Sequence, residues 1–466
     1  MIADLKPYAE YKGSGLPWLG EVPGHWEPKK LKHAFKRIVG GSTPASGNPR
    51  YWNGDVTWVT PADVSRSKRL RRSIRQITRA GLLSCSTELV PKGSIVLTSR
   101  APVGNVAIAD VDLCTNQGCK ALIPDTAVMA PMFGFWLLSV MKAELQSLSM
   151  GTTFSEISTS RLGSTFGILP PPAEQAAIVR FLDWVNGRLE RSIRAKRKVI
   201  ALLNEQKQVI IHRAITRGLD PSVPLKPAGI PWLGDIPQHW EVTRSKRLFT
   251  SRSDLALPDD VQLSATQAYG VIPQSEFEEK VGRRVVKILM HLEKRRHVEK
   301  DDFVISMRSF QGGLERAWAS GAIRSSYVVL KAEHGCNTDF FAYLFKSRGY
   351  IGAIQATGGF IRDGQDLNFS NFCRVDLPLV PPDEQTAIAA FIADSTVNMD
   401  ATTSRLEREI ELLREYRTRL IADVVTGKLD VREAATRLPD EAVPQTADDE
   451  SDLSIDPETA GEEAAV

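Results

Sequence analysis

The sequence predicts an α+β protein of two α/β domains and two long coiled-coil helices that pair with each other, laid out as an internal repeat. Three observations carry that prediction: a length of 466 residues, a pair of motifs that each occur twice in the same order, and a hydrophobic period that turns helical at the same point of both copies. The length is about three times that of a typical domain. With 42% apolar and 25% charged residues, the composition is that of a globular protein. No apolar run approaches the ~20 residues of a membrane span. The Ile-Ala-Asp-Leu-Lys that follows Met1 offers no apolar core for a secretory leader. Cys85, Cys114, Cys119, Cys336 and Cys373 are odd in number and form no CxxC pair. That argues against a disulfide framework or a zinc site, and for a reducing cytoplasm.

The repeat begins with Lys12-Gly-Ser-Gly-Leu-Pro-Trp-Leu-Gly-Glu-Val-Pro-Gly-His-Trp-Glu27. It recurs as Lys226-Pro-Ala-Gly-Ile-Pro-Trp-Leu-Gly-Asp-Ile-Pro-Gln-His-Trp-Glu241, with ten of sixteen positions identical at an offset of 214. Four of the nine tryptophans, Trp18, Trp26, Trp232 and Trp240, sit in these two stretches. Pro171-Pro172-Ala173-Glu174-Gln175 recurs as Pro381-Pro382-Asp383-Glu384-Gln385 at an offset of 210, which then holds without a gap through Thr216 and Thr426. The chain is therefore a tandem duplication of roughly 210 residues whose ends are alike and whose middles have diverged.

After each Pro-Pro a stretch nearly free of Gly and Pro carries apolar residues at three- to four-residue spacing: Ile178, Leu182, Val185 and Leu189, then Ile388, Ile392, Met399 and Leu406. Proline at the start and Gly218 or Gly427 near the end bound a helix of ~40 residues, ~60 Å long. A single apolar stripe with charged flanks suggests that the two helices pair with each other. The middles read instead as short strands with turns between them: Asp55–Thr60, Ile95–Thr98 and Val106–Ile108, then Phe303–Ser306 and Tyr327–Leu330, with helical patches at Phe133–Leu148 and Phe340–Phe345.

The net charge of +3 conceals an asymmetry. Residues 439–466 hold ten Asp/Glu and no Lys/Arg, which leaves +13 on residues 1–438. The tail has little to bury and reads as disordered. A basic body has reason to meet a polyanion. Arg66, Lys68, Arg69, Arg71, Arg72, Arg75 and Arg79 form a run without an acid; they are read as phosphate contacts, or as a solvated helix face with Leu70, Ile74 and Ile77 as its stripe. A second run at 280–300, with Arg283 and Arg284, is diluted by Glu293 and Glu299.

No residue pattern for catalysis is present: neither GxxxxGK[ST] nor a G-x-G-x-x-G after a strand occurs. The Pro-Pro pairs lack the aromatic and the preceding Asn/Asp of an N6-adenine methylase, and His291 and His297 have no neighbours at ligand spacing. The expectation is a chain that is not itself an enzyme and binds no cofactor.

The order W-L-G-x-x-P-x-H-W, a variable α/β segment, then P-P-x-E-Q-x-x-I before a long helix, all occurring twice over residues 12–432, resembles the DNA-specificity subunit of type I restriction-modification enzymes. Gly40-Gly-Ser-Thr-Pro44, Tyr51-Trp52-x-Gly54 and Trp58 resemble the opening of many of its target-recognition domains; the second copy departs from this with Ser251-Arg-Ser-Asp-Leu255 and is expected to be of another subclass. The resemblance implies target-recognition domains at 1–169 and 219–379, separated by two conserved antiparallel coiled-coil helices at 170–218 and 380–432 in a pseudo-twofold arrangement; it leaves out the acidic tail, taken as 433–466 and disordered by composition. Each domain would read half of a bipartite sequence in double-stranded DNA. The helices would set the gap and carry two methyltransferase subunits, with restriction and motor subunits joining. S-adenosylmethionine, ATP and Mg2+ would belong to those partners, and the location would be cytoplasmic, away from any membrane.

Within that reading, Arg100, Asn116, Gln117, Arg308, Gln311 and Arg362 have side chains of the type that reads base edges. Arg191, Arg194, Lys196, Arg197 and Lys198 track DNA across the gap or form a solvated helix face. Trp18, His25 and Trp26, with Trp232, His239 and Trp240, are read as packing a proline-rich corner. Glu174-Gln175 and Glu384-Gln385 suit the first turn of a helix, with direct partner contact as the alternative. The rival functions are a coiled-coil protein-interaction adaptor without DNA specificity, and an enzyme with an unrecognised site.

Overall fold

The computed structural model describes residues 5–149, 156–282, 284–285, 294–305, 313–358, 360–361, 364–365 and 367–439. These group into two compact units. The first joins the residues up to Ala195 with those from Arg408 onward; the second is Lys196–Glu407. Each unit therefore holds one α/β domain and a part of each long helix.

In the first unit a sheet runs in the order Phe35–Gly40, Cys119–Pro124, Ile95–Thr98, Val106–Ala109, Arg69–Leu70. Its neighbours are antiparallel except the last pair, Arg69↔Ile108, which is parallel. Ile95–Thr98 and Val106–Ala109 are buried along their whole length, because both faces of the sheet are covered. Ile95, Leu97, Val106, Ile108 and Leu122 face a core containing Phe133, Leu137 and the start of the first long helix. Val96, Ala107, Ala109 and Ala121 face a smaller core with Val59, Val64 and Leu70. Alternation along each strand does this sorting. Beside it, Trp52–Val59 lies parallel to Leu113–Thr115 and antiparallel to Gln76–Ile77.

The second unit repeats four strands of that sheet in the same order: Phe249–Arg252, Val328–Ala332, Phe303–Ile305, Glu315–Arg316. Sorting also repeats, with Phe303, Ile305 and Leu330 in the larger core and Val304 and Val329 in the smaller. The middles have thus kept their central topology while losing sequence identity. They differ in what is added: the second unit has the pairs Leu263–Thr266 with Gly270–Pro273 and Arg296–Val298 with Gly321–Ile323 in place of the first unit's three-stranded sheet.

The repeated ends are repeated in structure. Tyr11–Gly13 pairs with Glu21–Pro23, and Leu225–Pro227 with Asp235–Pro237. Glu27–Lys30 pairs with Phe166–Leu169, and Glu241–Arg244 with Asp376–Leu379, so that each domain closes just before its helix. The helices run Pro172–Arg217 and Pro382–Val425. Each ends at a left-handed glycine, Gly218 at φ +69° and Gly427 at φ +80°, the conformation that lets the chain leave without a Cβ clash. Within each unit the helical segments pair antiparallel. In the first, Glu190 meets Arg417, and the earlier Glu174 meets the later Arg432. In the second, Lys207 Nζ lies 2.6 Å from Asp400, and the later Ile211 and Ile215 share a core with the earlier Ile388 and Ile392.

Two expectations need correction. The basic run is not one helix: Arg66 ends the short helix Pro61–Arg66, Arg69–Leu70 and Gln76–Ile77 are short strands, and Arg79 begins the helix Arg79–Leu83. Leu70 and Ile77 are buried from those strands, whereas Ile74 is 60% exposed, so no apolar helical stripe exists. The acidic tail was expected to begin at 433, but Arg432–Thr436 is a helix, and Val431, Ala434, Ala435 and Leu438 join the first unit's core. Their apolar spacing gives this stretch something to bury. The acids from Asp440 onward lie outside the described residues.

Candidate nucleic-acid interface

The two sequence motifs prove to be two halves of one joint. Trp26 is fully buried and donates its Nε1–H to Glu174 Oε2 at 2.7 Å, and His25 Nε2 lies 2.6 Å from Glu174 Oε1. In the second unit Trp240 donates to Glu384 Oε2 at 2.9 Å and His239 Nε2 lies 2.6 Å from Glu384 Oε1. The corner expected of the His-Trp pairs is therefore built around a carboxylate. Both glutamates stand in the first turn of their helix, but their oxygens are taken by the His-Trp segment instead of capping the helix. Glu174 also meets Arg432 Nη1 at 3.2 Å. Trp18 and Trp232 pack as partly buried side chains against the two larger cores.

The glutamines complete the joint. Gln175 Oε1 accepts from Ala130 N–H at 2.8 Å, while its Nε2 donates to the carbonyls of Val128 at 2.8 Å and Pro170 at 3.0 Å. Gln385 Oε1 accepts from Asn337 N–H at 2.7 Å, and its Nε2 donates to Gly335 and Val380 carbonyls at 3.2 and 2.8 Å. Each amide fixes the turn that leads into a domain helix, Pro131–Val140 or Thr338–Phe345. Both glutamines are buried and fully bonded, so neither is available to a partner.

At one end of the first unit's sheet, the registers Lys120↔Gly40 and Cys119↔Thr98 bring three loops together. Main-chain bonds lock them: Ser42 N–H to Thr115 O at 3.0 Å, Ser99 N–H to Gly118 O at 2.8 Å, and Ile157 N–H to Ser99 O at 3.0 Å. A Cβ on Gly41 would lie 2.1 Å from Thr115 O, so only glycine permits this approach. This surface gathers Arg100, Asn116 and Gln117 from the expected base-reading set. Arg100 pairs with Glu156 at 2.9 Å, and Lys120 reaches the same carboxylate at 3.1 Å. Burial pushes the Glu156 pKa up, but the hydrogen bonds from Lys120 and Arg100 outweigh it and hold the carboxyl below its usual range. Asn116 Oδ1 accepts from Gly118 N–H at 3.0 Å, and Gln117 is exposed and bonded to Thr43.

The basic run does not present its charges uniformly. Arg69 bonds Asp110 through Nε at 2.9 Å and Nη2 at 2.6 Å, and Arg71 Nε reaches Asp110 at 3.1 Å. The Arg75 guanidinium lies 3.8 Å from the centroid of the Trp52 ring. Arg66, Lys68 and Arg72 are exposed, and Arg66 and Arg72 meet no carboxylate among the described residues. In the second unit Arg284 is exposed. Arg283, Arg308, Gln311 and Arg362 lie outside the described residues. Glu299, expected only to dilute the second run, pairs with Arg252 at 2.7 Å, whose Nε also holds Asp302 at 2.7 Å. Arg191, Arg194 and Lys198 are exposed on the first long helix.

Thr43, Asp110, Glu156 and Arg252 were not singled out from sequence. Thr43 lies inside the Gly-Gly-Ser-Thr-Pro motif and Arg252 inside Ser251-Arg-Ser-Asp-Leu255, and both could have been; the acids are single residues far along the chain from the cations they hold. No helix is long and apolar enough to cross a membrane, among the described residues.

The model of the type I restriction modification DNA specificity domain matches residues 23–198. The MjaIX specificity subunit of Methanocaldococcus jannaschii is 37% identical over 175 residues, which are 37% of this chain and 40% of that relative. The EcoR124I/EcoR124II specificity subunit of Escherichia coli is 29% identical over 184 residues, 37% of this chain and 41% of that relative. The alignments thus span less than half of either relative's length. A chain from a solved structure concerned with complex assembly and conformational transition of the type I R-M system covers 88% of this chain and 99% of its own. At a TM-score of 0.60 and 14% identity it has the same fold. Over residues 23–198, less than half of its length, the chain is thus similar to the type I restriction modification DNA specificity domain family.

Proposed function

We propose that this chain is the DNA-specificity subunit of a type I restriction-modification assembly, in which the two α/β domains, 1–169 and 219–379, each read one half of a bipartite site in double-stranded DNA. The helices at 170–218 and 380–432 serve as spacer and as seat for two methyltransferase subunits, with restriction and motor subunits joining them in the cytoplasm. The chain itself is non-catalytic; S-adenosylmethionine, ATP and Mg2+ act on the partners. One observation above all supports this reading: the joint of His-Trp with Glu-Gln is built twice with the same bonds, around domains whose exposed loops differ. Duplicated scaffolds with diverged domains fit one kind of partner bound twice and two different stretches of DNA.

The test is binding of the purified chain to duplex DNA across a salt series, together with the methylome of a cell expressing it with its methyltransferase. Affinity falling steeply with salt, and a bipartite modified motif, are expected. Binding without salt dependence would favour the adaptor reading. Methyl transfer or cleavage by the chain alone, given S-adenosylmethionine and Mg2+, would refute a non-catalytic role.

A further inference from the structure

We propose that Gln117 is a specificity-determining residue that reads an adenine of the half-site facing the first unit, with Thr43 as the residue that orients it. The inference rests on the DNA-specificity reading and adds to it a residue and a base. Its starting point is what the other polar side chains of the three-loop surface already do. Arg100 and Lys120 share the Glu156 carboxylate, and the Asn116 Oδ1 closes its own turn on Gly118 N–H. Of the two amides Gln117 is the more accessible, Asn116 being half-buried. It is exposed, its Oε1 accepts from the Thr43 hydroxyl, and its Nε2 has no partner among the described residues.

The support beneath Gln117 is rigid, as base reading demands. Gly41 passes against Thr115 and Asn116 too closely for any side chain, and Gly118 lies so near Pro61 that a Cβ would stand 2.8 Å from its Cγ. The loop holding Gln117 and the loop holding Thr43 are thus fixed to each other by main chain, and the bond between their side chains then fixes the amide plane. With Oε1 turned to Thr43, Nε2 faces outward as a donor, and the second lone pair of Oε1 remains beside it. A donor next to an acceptor complements the major-groove edge of adenine, where N7 accepts and the N6 amino group donates. Guanine sets O6 against Oε1, acceptor against acceptor, and cytosine and thymine offer no such pair. Because Glu156 engages both nearby cations and offsets one of their two charges, the surface is suited to reading bases more than to gripping phosphate.

The experiment uses the full chain expressed with its methyltransferase, scored by methylome mapping and by selection of bound duplexes from a randomised pool. Gln117→Ala should lose discrimination at one A·T pair of one half-site, by about five- to 150-fold, while the other half-site is unchanged. Thr43→Val should weaken selection at that same pair, and Thr43→Ser should restore it. Unchanged melting of Gln117→Ala keeps the comparison free of folding effects, since the side chain is exposed. An unaltered motif in Gln117→Ala overturns the inference. So does a loss spread evenly over all positions, which marks a backbone contact, or a loss at a pair other than A·T. If the unsubstituted chain shows a bipartite motif and only Gln117→Ala disagrees, the functional reading stands without this residue. Absence of any motif in the unsubstituted chain sinks both.

Discussion

Replacing Gln175 by alanine removes three hydrogen bonds with one substitution. It strands Ala130 N–H and the carbonyls of Val128 and Pro170 at the entrance of the helix Pro131–Val140. A buried polar group left without a partner costs about 1–3 kcal/mol. Ala130 and Val128 are half-buried and recover some water, whereas Pro170 is buried, so the sum falls near ~3–5 kcal/mol. For a unit of this size each kcal/mol shifts Tm by about 2–4 °C, so a drop on the order of 6–20 °C is expected. Calorimetry of the full chain, with chemical denaturation to separate the units, reads this directly. Gln385→Ala should cost somewhat less in the second unit: its amide makes the matching three bonds to Asn337, Gly335 and Val380, but Gly335 is exposed and its carbonyl recovers water. Gln175→Glu should be worse than alanine, since a carboxylate would face two carbonyl oxygens. A cost below ~1 kcal/mol for Gln175→Ala, or a milder effect of Gln175→Glu, would refute the clamp argument.

Four further outcomes are expected. Gly218→Ala should cost about 1–2 kcal/mol for its left-handed backbone, while Gly427→Ala should cost clearly more, because its Cβ would lie 2.4 Å from Pro23 Cδ; paired denaturation curves decide this. In salt titrations of DNA binding, Arg66→Ala or Arg72→Ala should lower the slope by about 0.9 each, and Arg69→Ala should leave it nearly unchanged because Asp110 holds that guanidinium. Burial pushes Glu315 up to about 7 despite Lys346 beside it; the folded state therefore holds its proton more tightly than the unfolded chain does. The stability this proton provides is complete below the ordinary carboxyl value of 4.5 and is lost as pH rises through 7, by about 3 kcal/mol, and Glu315→Gln should flatten that part of the stability–pH curve. Grafting residues 30–165 from a relative of different specificity should change one half-site in the methylome and leave the other intact.

The long helices were legible because a period of three to four residues needs no partner to be seen, and the proline and glycine at their ends mark the boundaries. Both halves of the joint were legible as repeats, but not as each other's partners. His25 precedes Glu174 by 149 residues and His239 precedes Glu384 by 145, a separation that no local pattern encodes. The basic run misled for a related reason. Leu70 and Ile77 are seven residues apart, which suits a helix, yet each enters the core from its own short strand. Which of its arginines are free depended on Asp110, forty residues on, whose carboxylate is visible to Arg69 and Arg71 only in three dimensions. The shared sheet order of the two domains was hidden because pairing is made by main chain, which tolerates the loss of side-chain identity.

The glutamine clamp has a bearing on how such a chain changes over time. The side-chain hydrogen bonds of Gln175 and Gln385 all go to main-chain atoms. A segment that offers an N–H and carbonyls in those positions meets the glutamine whatever side chains it brings to the turn itself. The glutamine clamp is thus blind to side-chain identity, and a domain needs to match its receiving helix only through the His-Trp segment and the apolar side chains it lays against that helix.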